Sequence, residues 1–419
     1  MAGAEIVSNI LSFEDARHAV EAQAALVQLP PAEIVNLSDA AGRVLADPVL
    51  ADRDLPPFPR STRDGYAVRS ADLAKLPAML DVIGEVRAGE KPDKIPASIG
   101  VGQALSIMTG APVPAGADAV VMVEHTSQRG GQVEVTRSVD AGENIVPRGA
   151  EAHQDAALVE RGSLLTEASI ALAASTGRSK LQVYKRPKVA VVTTGDEIIE
   201  VDAVPGPTQI RNSNTHSLAV QIRRAGGDPV PFPIAPDEPL ALRRSIEQGL
   251  AADLLLMTGG VSMGRYDLVE QVLTELNAEF FFTGAKIQPG RPVVFGQCAG
   301  APTREKPTTF FFGLPGNPVS TMVTFELFAR PMLEALAGMS PRKLVFLYAK
   351  LKSEIRVKPG LKRFLPATLS GEFENSEVAL VSWQGSGDVA ATARANCYIV
   401  IPPDRERISP DEFVPVMLR

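Results

Sequence analysis

The chain has 419 residues, enough for two to four domains at roughly 100–200 residues per domain. Apolar residues make up 45% and charged residues 22%, which is ordinary for a globular protein that buries a core. The net charge of −7 and the lack of a block of Lys and Arg argue against a general nucleic-acid binder.

Cysteine usage and the N-terminus are typical of a cytosolic protein. Cys298 and Cys397 lie far apart and have no Cys or His at metal-ligand spacing, which predicts two reduced thiols. The first residues lack a basic segment followed by an apolar one, and no apolar run approaches the ~20 residues of a membrane span. We therefore expect a cytoplasmic protein with no membrane partner.

The first predicted element is a helix from Ser12 to Val27. Ser12 is suited to cap it, and Glu14 and Asp15 put negative charge in the first turn, where the helix dipole favours it. Pro30 ends this segment, and a strand with a short irregular piece follows.

Residues 51–155 have a different pattern. Short alternating segments such as "QALSIMTG" and "QVEVTRSV" are separated by turn residues, which predicts a small β domain. A proline-rich linker, Pro56 to Pro59, leads into it. A helix follows the domain, capped at Thr166 and stopped at Gly177.

Residues 181–337 alternate strands with helices. "KVAVVTTGDE" and "DLLLMTGG" are apolar on both faces, and amphipathic segments such as "HSLAVQIRRAGG" lie between the strands. This pattern predicts a parallel sheet covered by helices on both sides, followed by one long helix over "VSTMVTFELFARPMLEAL". From Leu344 the pattern is β again, which predicts a separate C-terminal domain.

Three predicted strands end in unusual loops, and ligands of open α/β sheets bind beyond such ends. The loops are Thr194 to Glu197, then "TGGVSMGRYD", which includes Gly259, and "GLPGNPVS", in which Asn317 precedes a helix. Glycines with free N–H groups and helix N-termini suit phosphate or another oxyanion. A tight turn or simple capping is the alternative, and no loop matches a Walker or dinucleotide motif.

Acidic residues follow the same strand ends: Asp196 and Glu197, then Asp237 and Glu238, then Asp267. Carboxylates beside a phosphate site need a cation, and Mg²⁺ is held by one or two carboxylates plus substrate oxygens. Each aspartate alone is as well explained as a cap or a surface residue. Their convergence on one sheet edge is what predicts a Mg²⁺ site.

Six segments resemble the molybdopterin molybdenumtransferase family, also called MoeA and related to the E domain of gephyrin. They are "DLPPFPRSTRDGYAVR", "SIMTGAPVPAGADAVVMVE", "VAVVTTGDE", "IRNSN", "LLLMTGGVSMGRYD" and "FFGLPGNPVS". They follow the family's order and spacing, and the resemblance covers nearly the whole chain.

The resemblance implies a homodimer of four-domain protomers. The implied domains are a discontinuous, mostly helical one (1–50 and 156–180), an inserted β domain (51–155), a three-layer α/β molybdopterin-binding domain (181–337) and a C-terminal β-barrel-like domain (338–419). The implied reaction is Mg²⁺-dependent insertion of molybdate into adenylylated molybdopterin with release of AMP, at a site shared between protomers. A molybdopterin adenylyltransferase and receiving molybdoenzymes are the candidate partners, and nucleic acid is not one.

Site residues are implied by matching the family's motifs. The catalytic set would be Asp64, Glu197, Asp237 and Asp267, with Asp237 and Asp267 on Mg²⁺. The pterin and nucleotide would contact Thr109, Thr194, Gly195, Asp196, Ser213, Gly259, Gly260, Ser262, Gly264, Gly316, Asn317 and Pro318. Molybdate would contact Arg291, Ser320, Arg363 and Ser386. Asp64 and Thr109 would come from the second protomer.

Several positions depart from the family's motifs. "QPGRP" stands for the usual "KPGKP", so Gln288 lacks a charge and Arg291 changes the geometry of another. Val146 replaces the arginine of "NIRxxGED", and Leu361 and Pro366 replace both arginines of "GRxxFxR".

Two alternative functions therefore stay open. A paralogue with these changes would bind the cofactor, or act as a scaffold, with weak insertase activity. A molybdopterin adenylyltransferase would resemble residues 181–337 alone, and the additional domains argue against it.

Overall fold

The structure is a computed structural model and describes residues 9–259, 268–299, 308–339 and 342–419. The chain divides into two compact units. The first contains the described residues of Met1–Ala46, Gly162–Thr166 and Gln182–Arg419, and the second contains Asp47–Arg161 and Glu167–Leu181. The finer division into four domains stays a prediction.

A six-stranded sheet is the centre of the first unit. Its strands are β1 (Lys188–Thr193), β2 (Asp228–Pro231), β3 (Leu254–Thr258), β4 (Glu279–Phe282), β5 (Val294–Ala299) and β6 (Thr308–Leu314). Their order is β2-β1-β3-β6-β5-β4. The first four are parallel, and β5 and β4 extend the edge in antiparallel pairing. The predicted parallel-rich sheet is confirmed.

Helices cover both faces of this sheet. They are α1 (Phe13–Ala24), α2 (Asn214–Arg224), α3 (Pro239–Gly249), α4 (Leu268–Glu275), α5 (Pro318–Thr324) and α6 (Arg330–Leu336). Val189 and Val191 of β1 belong to one core with α1, α2, α5 and α6, whereas Ala190 and Val192 belong to another with α3 and α4. Because alternate residues of a strand face opposite sides, β1 is buried on both, which is the predicted three-layer arrangement.

Helix α1 begins where the sequence predicts but ends earlier. Ser12 Oγ accepts the Asp15 N–H at 3.0 Å and caps the helix. The last helical residue is Ala24 rather than Val27. Leu26 and Val27 donate to carbonyl groups three residues earlier, which is a tighter turn than an α-helix allows.

The long helix predicted after Asn317 is not regular. A π turn, Phe325–Ala329, separates α5 from α6. Pro331 lies two residues after this turn and has no N–H to donate to the carbonyl four residues earlier, so a change of hydrogen-bond register here removes a conflict. The apolar pattern alone does not reveal this interruption.

The C-terminal part of the first unit is a closed five-stranded barrel. Its strands are Phe346–Leu351, Lys362–Ser370, Glu377–Leu380, Cys397–Ile401 and Phe413–Leu418. The barrel closes because Lys362–Ser370 pairs on one side with Glu377–Leu380 and on the other with Cys397–Ile401. The predicted barrel-like domain is confirmed. The sequence pattern did not reveal the strand Lys362–Ser370 or the helix Val389–Arg394.

The second unit contains the predicted small β domain. Its six-stranded sheet has the order Ala119–Met122, Gly65–Val68, Gln103–Ile107, Ala78–Val86, Gln132–Val135 and Thr126–Arg129. The predicted helix is Glu167–Ser175, and Gly177 follows it with φ +77°, a conformation that ends helices.

Short strands complete the chain: Ile10–Leu11, Ala32–Asn36, Val49–Leu50, Arg60–Ser61, Ile145–Val146, Ala157–Val159, Lys180–Tyr184, Ile198–Ile199, Ile210–Arg211, Gly284–Ala285, Ile287–Gln288, Ile355–Arg356 and Arg407–Ile408. Of these, Ile287–Gln288 pairs with Lys362 and Arg363 and so ties the α/β part to the barrel. None of the helices in the described ranges combines the length and the apolar character that crossing a bilayer requires.

Candidate active site

The backbones that follow β1, β3 and β6 touch at the carboxyl edge of the sheet. A Cβ added to Gly259, after β3, would lie 2.0 Å from the carbonyl oxygen of Thr194, after β1. A Cβ on Gly316, after β6, would lie 3.4 Å from the Gly259 Cα. Gly259 also has φ +87°, so both its contact and its conformation require glycine. The three unusual loops therefore lie side by side.

The loop after β1 forms hydrogen bonds with an aspartate of the loop after β2. The Thr194 hydroxyl donates to Asp237 Oδ1 at 2.6 Å, and the Asp237 N–H donates to Asp196 Oδ1 at 3.1 Å. Gly195 between them has φ +147°, and a Cβ there would lie 2.8 Å from Glu197 Oε2. The acidic residues that follow β1 and β2 are thus brought together on an exposed surface.

This surface suits a magnesium ion that is shared with a ligand. Asp196 and Asp237 present adjacent, exposed carboxylates, and Mg²⁺ completes such a site with water and substrate phosphates. Over the described ranges, no three His, Cys, Asp or Glu side chains gather as a metal cage. Gly260, Ser262, Gly264 and Asp267, four further predicted site residues, lie outside the described residues.

A buried side-chain amide forms hydrogen bonds to the end of β3 and to the loop that follows β6. Asn214, the first residue of α2, donates from Nδ2 to Thr258 Oγ1 at 2.8 Å and to the Gly316 carbonyl at 2.7 Å. Its Oδ1 is buried and has no hydrogen-bond partner within the described part of the chain. The predicted site residue Ser213 precedes it, exposed and without a side-chain capping bond. The sequence analysis missed Asn214, although asparagines at a helix start often bond nearby backbone groups.

The start of α5 is only partly as predicted. Asn317 occupies the N-cap position and Pro318 the first helical position, but the Asn317 side chain makes no capping hydrogen bond. Instead, the Val319 N–H donates to the Ser386 carbonyl at 3.0 Å. A backbone group of the barrel therefore caps this helix, and the exposed Asn317 amide is left for other contacts.

A pocket of about 410 Å³ adjoins this helix start. Its polar and aromatic lining consists of Gln288, Arg291, Asn317, Ser320, Trp383 and Ser386. Arg291 is the only charged side chain among the described residues that line it, and Ser320 is buried. The structure thus gathers three of the four residues predicted to contact molybdate into one small cavity with a single positive charge.

Arg363 is not part of this pocket. Its side chain is buried beside the barrel strand, and Nη1 donates to the Leu361 carbonyl at 3.2 Å. Burial lowers the pKa of its guanidinium, since no carboxylate partner is present among the described residues. Leu361, a position that departs from the family's motif, lines the pocket instead. Pro366, the second such position, is buried in the barrel.

The loop that carries Ser386 is held by an aspartate that the sequence analysis did not single out. Asp388 accepts the Gln384 N–H at 3.0 Å and the Ala391 N–H at 2.9 Å, which also caps the helix Val389–Arg394. These backbone donors, Ala391 first, hold the pKa of Asp388 below its usual value. Trp383, the only tryptophan of the chain, was also missed; it packs against the barrel core.

The second unit contributes one pair of predicted site residues. The Thr109 N–H donates to Asp64 Oδ1 at 2.6 Å, and both residues are exposed. This N–H and the Thr109 hydroxyl hold the pKa of Asp64 below its usual value, so the carboxyl stays ionised at neutral pH. Val146 pairs with Arg60, and Arg60 forms an ion pair with Glu151 at 2.8 Å.

Three family models match successive parts of the chain. Residues 11–177 match the MoeA N-terminal region (domains I and II), residues 190–335 match a probable molybdopterin binding domain, and residues 348–418 match the MoeA C-terminal region (domain IV). Together they cover most of the sequence, in the order that the motifs predict.

Full-length relatives agree with these models. Proteins named molybdopterin molybdenumtransferase from Nostoc sp. and Synechococcus elongatus are each 34% identical, over 92% and 95% of this chain and 88% and 96% of their own lengths. A solved structure of the molybdopterin biosynthesis moeA protein from Pyrococcus horikoshii is 27% identical with a TM-score of 0.77, covering 98% of this chain and 100% of its own. By sequence motifs, domain models and full-length relatives, the chain belongs to the MoeA family.

Proposed function

We propose that this molybdopterin molybdenumtransferase inserts molybdate into adenylylated molybdopterin and releases AMP in a Mg²⁺-dependent reaction. The observation that carries the proposal is the continuity of two surfaces. The glycine-rich strand ends at Thr194, Gly259 and Gly316 adjoin, through Asn317, the pocket that contains Arg291. One surface suits the pterin and its phosphates, and the other suits a small oxyanion.

The strand ends are suited to the phosphate groups. Gly195, Gly259 and Gly316 have no side chain, so the loops after β1, β3 and β6 pack in direct contact, and one phosphate-bearing ligand could contact the backbone of all three. Ser213 adds an exposed hydroxyl at the N-terminus of the eleven-residue helix α2, where the helix dipole favours negative charge.

The pocket is suited to molybdate, a tetrahedral dianion. Arg291 supplies the positive charge, and Ser320, Ser386 and the Asn317 amide supply neutral donors. No nucleophilic side chain is required, because positioning the oxyanion beside the pterin sulfurs and stabilising charge account for the rate.

Asp237, with Asp196 and the proposed Asp267, would hold Mg²⁺. The ion supplies positive charge to the phosphoanhydride that is cleaved. Thr194 orients Asp237 through their 2.6 Å hydrogen bond, and Glu197 adds negative charge nearby.

The reaction is tested with adenylylated molybdopterin, Mg²⁺ and molybdate, by measuring AMP release and molybdenum bound to the pterin. Arg291→Gln should lower the rate about 100-fold at low molybdate, because a charge-assisted contact is lost. Arg291→Lys should keep most of the rate, and Arg178→Gln, an exposed charge of the second unit, should be neutral. A wild-type rate in Arg291→Gln would overturn the proposed molybdate pocket.

The same assay separates the alternative functions. Consumption of ATP with free molybdopterin would identify an adenylyltransferase. Tight binding of the adenylate without molybdenum incorporation would identify a cofactor-binding or scaffold protein. A parallel reaction with tungstate tests which oxyanion the pocket prefers.

We also propose a homodimer in which Asp64 and Thr109 of one copy serve the site of the other. Asp64→Asn and Arg291→Gln proteins, each with little activity alone at low molybdate, should regain about a quarter of wild-type activity after subunit exchange, because half of the dimers then have one intact site of two. If the mixture stays as inactive as its components, the shared site is wrong.

A further inference from the structure

A second pocket, of about 370 Å³, lies in the first unit and shares no lining residue with the pocket at Arg291. Its charged lining consists of six cations and two carboxylates: Arg17, Arg224, Arg330, Arg342, Lys343, Arg419, Glu326 and Glu334. The lining side chains therefore have an excess of four positive charges, six minus two, in a chain whose net charge is −7.

Both carboxylates are already engaged. Glu334 is 1% exposed, and its Oε1 accepts Arg330 Nε at 2.9 Å and Arg342 Nη2 at 2.7 Å. Glu326 accepts Arg330 Nη1 at 3.0 Å and Gln221 Nε2 at 2.9 Å. Arg330 and Arg342 are thus fixed in place. Neither carboxylate of the pocket lining is left to pair with the other cations of the lining.

Arg17, another lining residue of this pocket, is also held in place by several contacts. It is buried, and its Nε forms an ion pair with Glu21 at 2.8 Å. Nη1 donates to the Leu327 carbonyl at 2.7 Å, and Nη2 reaches the Arg342 carbonyl at 3.5 Å. Arg17, Arg330 and Arg342 are therefore all fixed by contacts within the fold.

Three cations of the lining have no carboxylate partner among the described residues. Arg224 and Lys343 are exposed and form no ion pair there. Arg419 donates to the carbonyl groups of Thr392 and Ala395 at 2.6 and 3.1 Å, which are neutral acceptors and leave its charge uncompensated. Cations grouped around one cavity repel each other, and an anion placed between them would remove this repulsion.

We propose that this pocket binds a small multivalent oxyanion of the phosphate class, either free or as the terminal group of a larger ligand. Guanidinium groups bind phosphate oxygens through paired N–H donors, and Lys343 adds a point charge. The pocket is separate from the site of the proposed reaction, so the inference does not depend on that reaction.

The test is calorimetric titration of the full-length protein with inorganic pyrophosphate at constant ionic strength. Saturable binding is expected, and Arg224→Gln or Lys343→Gln should weaken it about tenfold or more, since each removes a charge-assisted contact. Arg223→Gln is the matched control, because Arg223 is the exposed neighbour of Arg224 on α2 and does not line the pocket. Titrations with phosphate and with ATP distinguish the two kinds of ligand: tighter binding of phosphate would indicate a free anion, and tighter binding of ATP would indicate the terminal group of a larger ligand.

Arg291→Gln tests whether pyrophosphate binds in this pocket or in the proposed molybdate pocket. Because Arg291 lines the molybdate pocket and not this one, this substitution should leave pyrophosphate binding unchanged. The proposal is overturned if the wild-type protein gives no saturable binding. It is also overturned if Arg223→Gln weakens binding as much as Arg224→Gln, or if Arg291→Gln abolishes it.

Discussion

The Thr194 hydroxyl donates a 2.6 Å hydrogen bond to the Asp237 carboxylate and so joins the loop after β1 to the loop after β2. These loops follow adjacent parallel strands, since β1 and β2 are neighbours in the sheet. The pair fixes the position of the carboxylate that we propose to bind Mg²⁺.

Removing this hydroxyl should lower activity without unfolding the protein. Thr194→Val keeps the shape of the side chain but loses a hydrogen bond to a charged group, worth roughly 1.5–3 kcal/mol, so we expect AMP release about tenfold slower or more. Thr194→Ser keeps the hydroxyl and should stay within about twofold of wild type. Equal rates for the two variants would show that the hydrogen bond has no part in catalysis.

Gly259→Ala should destabilise the first unit because the alanine Cβ would lie 2.0 Å from the backbone carbonyl oxygen of Thr194. Gly142 is the matched control: it has the same φ of +87°, but nothing lies within 4 Å of its added Cβ. We expect about 1 kcal/mol of lost stability for Gly142→Ala, from backbone strain alone, and at least about 3 kcal/mol for Gly259→Ala. Denaturant unfolding that follows each unit separately would measure both, and equal losses would contradict the close contact.

Gln288→Lys should strengthen molybdate binding. Gln288 lines the same pocket as Arg291, where only one positive charge is present among the described lining residues. A second cation near a dianion contributes about 1 kcal/mol at moderate screening, so the KM for molybdate should fall roughly fivefold. Gln288→Glu should raise it, and the difference between the variants should shrink at high salt. Identical KM values would place the oxyanion elsewhere.

Stability should fall in acid partly through Asp388. Its pKa in the folded protein is lowered by the N–H groups of Ala391 and Gln384, so its contribution is present above the unfolded pKa of about 3.9 and is lost as pH falls through the lower folded value. Melting temperatures from pH 6 down to about pH 3 should therefore fall less in Asp388→Asn than in wild type. Asp404→Asn, which removes an exposed aspartate of the same barrel, is the matched control, and an equal effect of the two substitutions would contradict the prediction.

The sequence predicted the site best where it depends on local pattern. A recognisable apolar strand precedes each of Thr194, Gly259 and Asn317. Their positions at one sheet edge could therefore be inferred from the alternation of strands and helices along the chain. Trp383 and Asp388 could not be found this way, because they lie in a barrel loop that contacts α5 only after the chain has folded.

Arg363 is a predicted site residue that the structure places outside the pocket. A motif position suggested a molybdate contact, but β pairing with Ile401 and burial in the barrel remove its side chain from the pocket. The direction of a side chain in a strand depends on register, which a family motif with altered neighbours at Leu361 and Pro366 does not determine.

Trp383 has one more consequence, because it is the only tryptophan of the chain and lines the pocket at Arg291. Its indole ring is a built-in fluorophore next to the proposed oxyanion site, and excitation near 295 nm, roughly where tyrosine no longer absorbs, reports on that one ring. Titrated molybdate should change its emission intensity or wavelength in wild type and not in Arg291→Gln. Occupancy of the pocket can thus be followed in real time, in unlabelled protein, before any product forms.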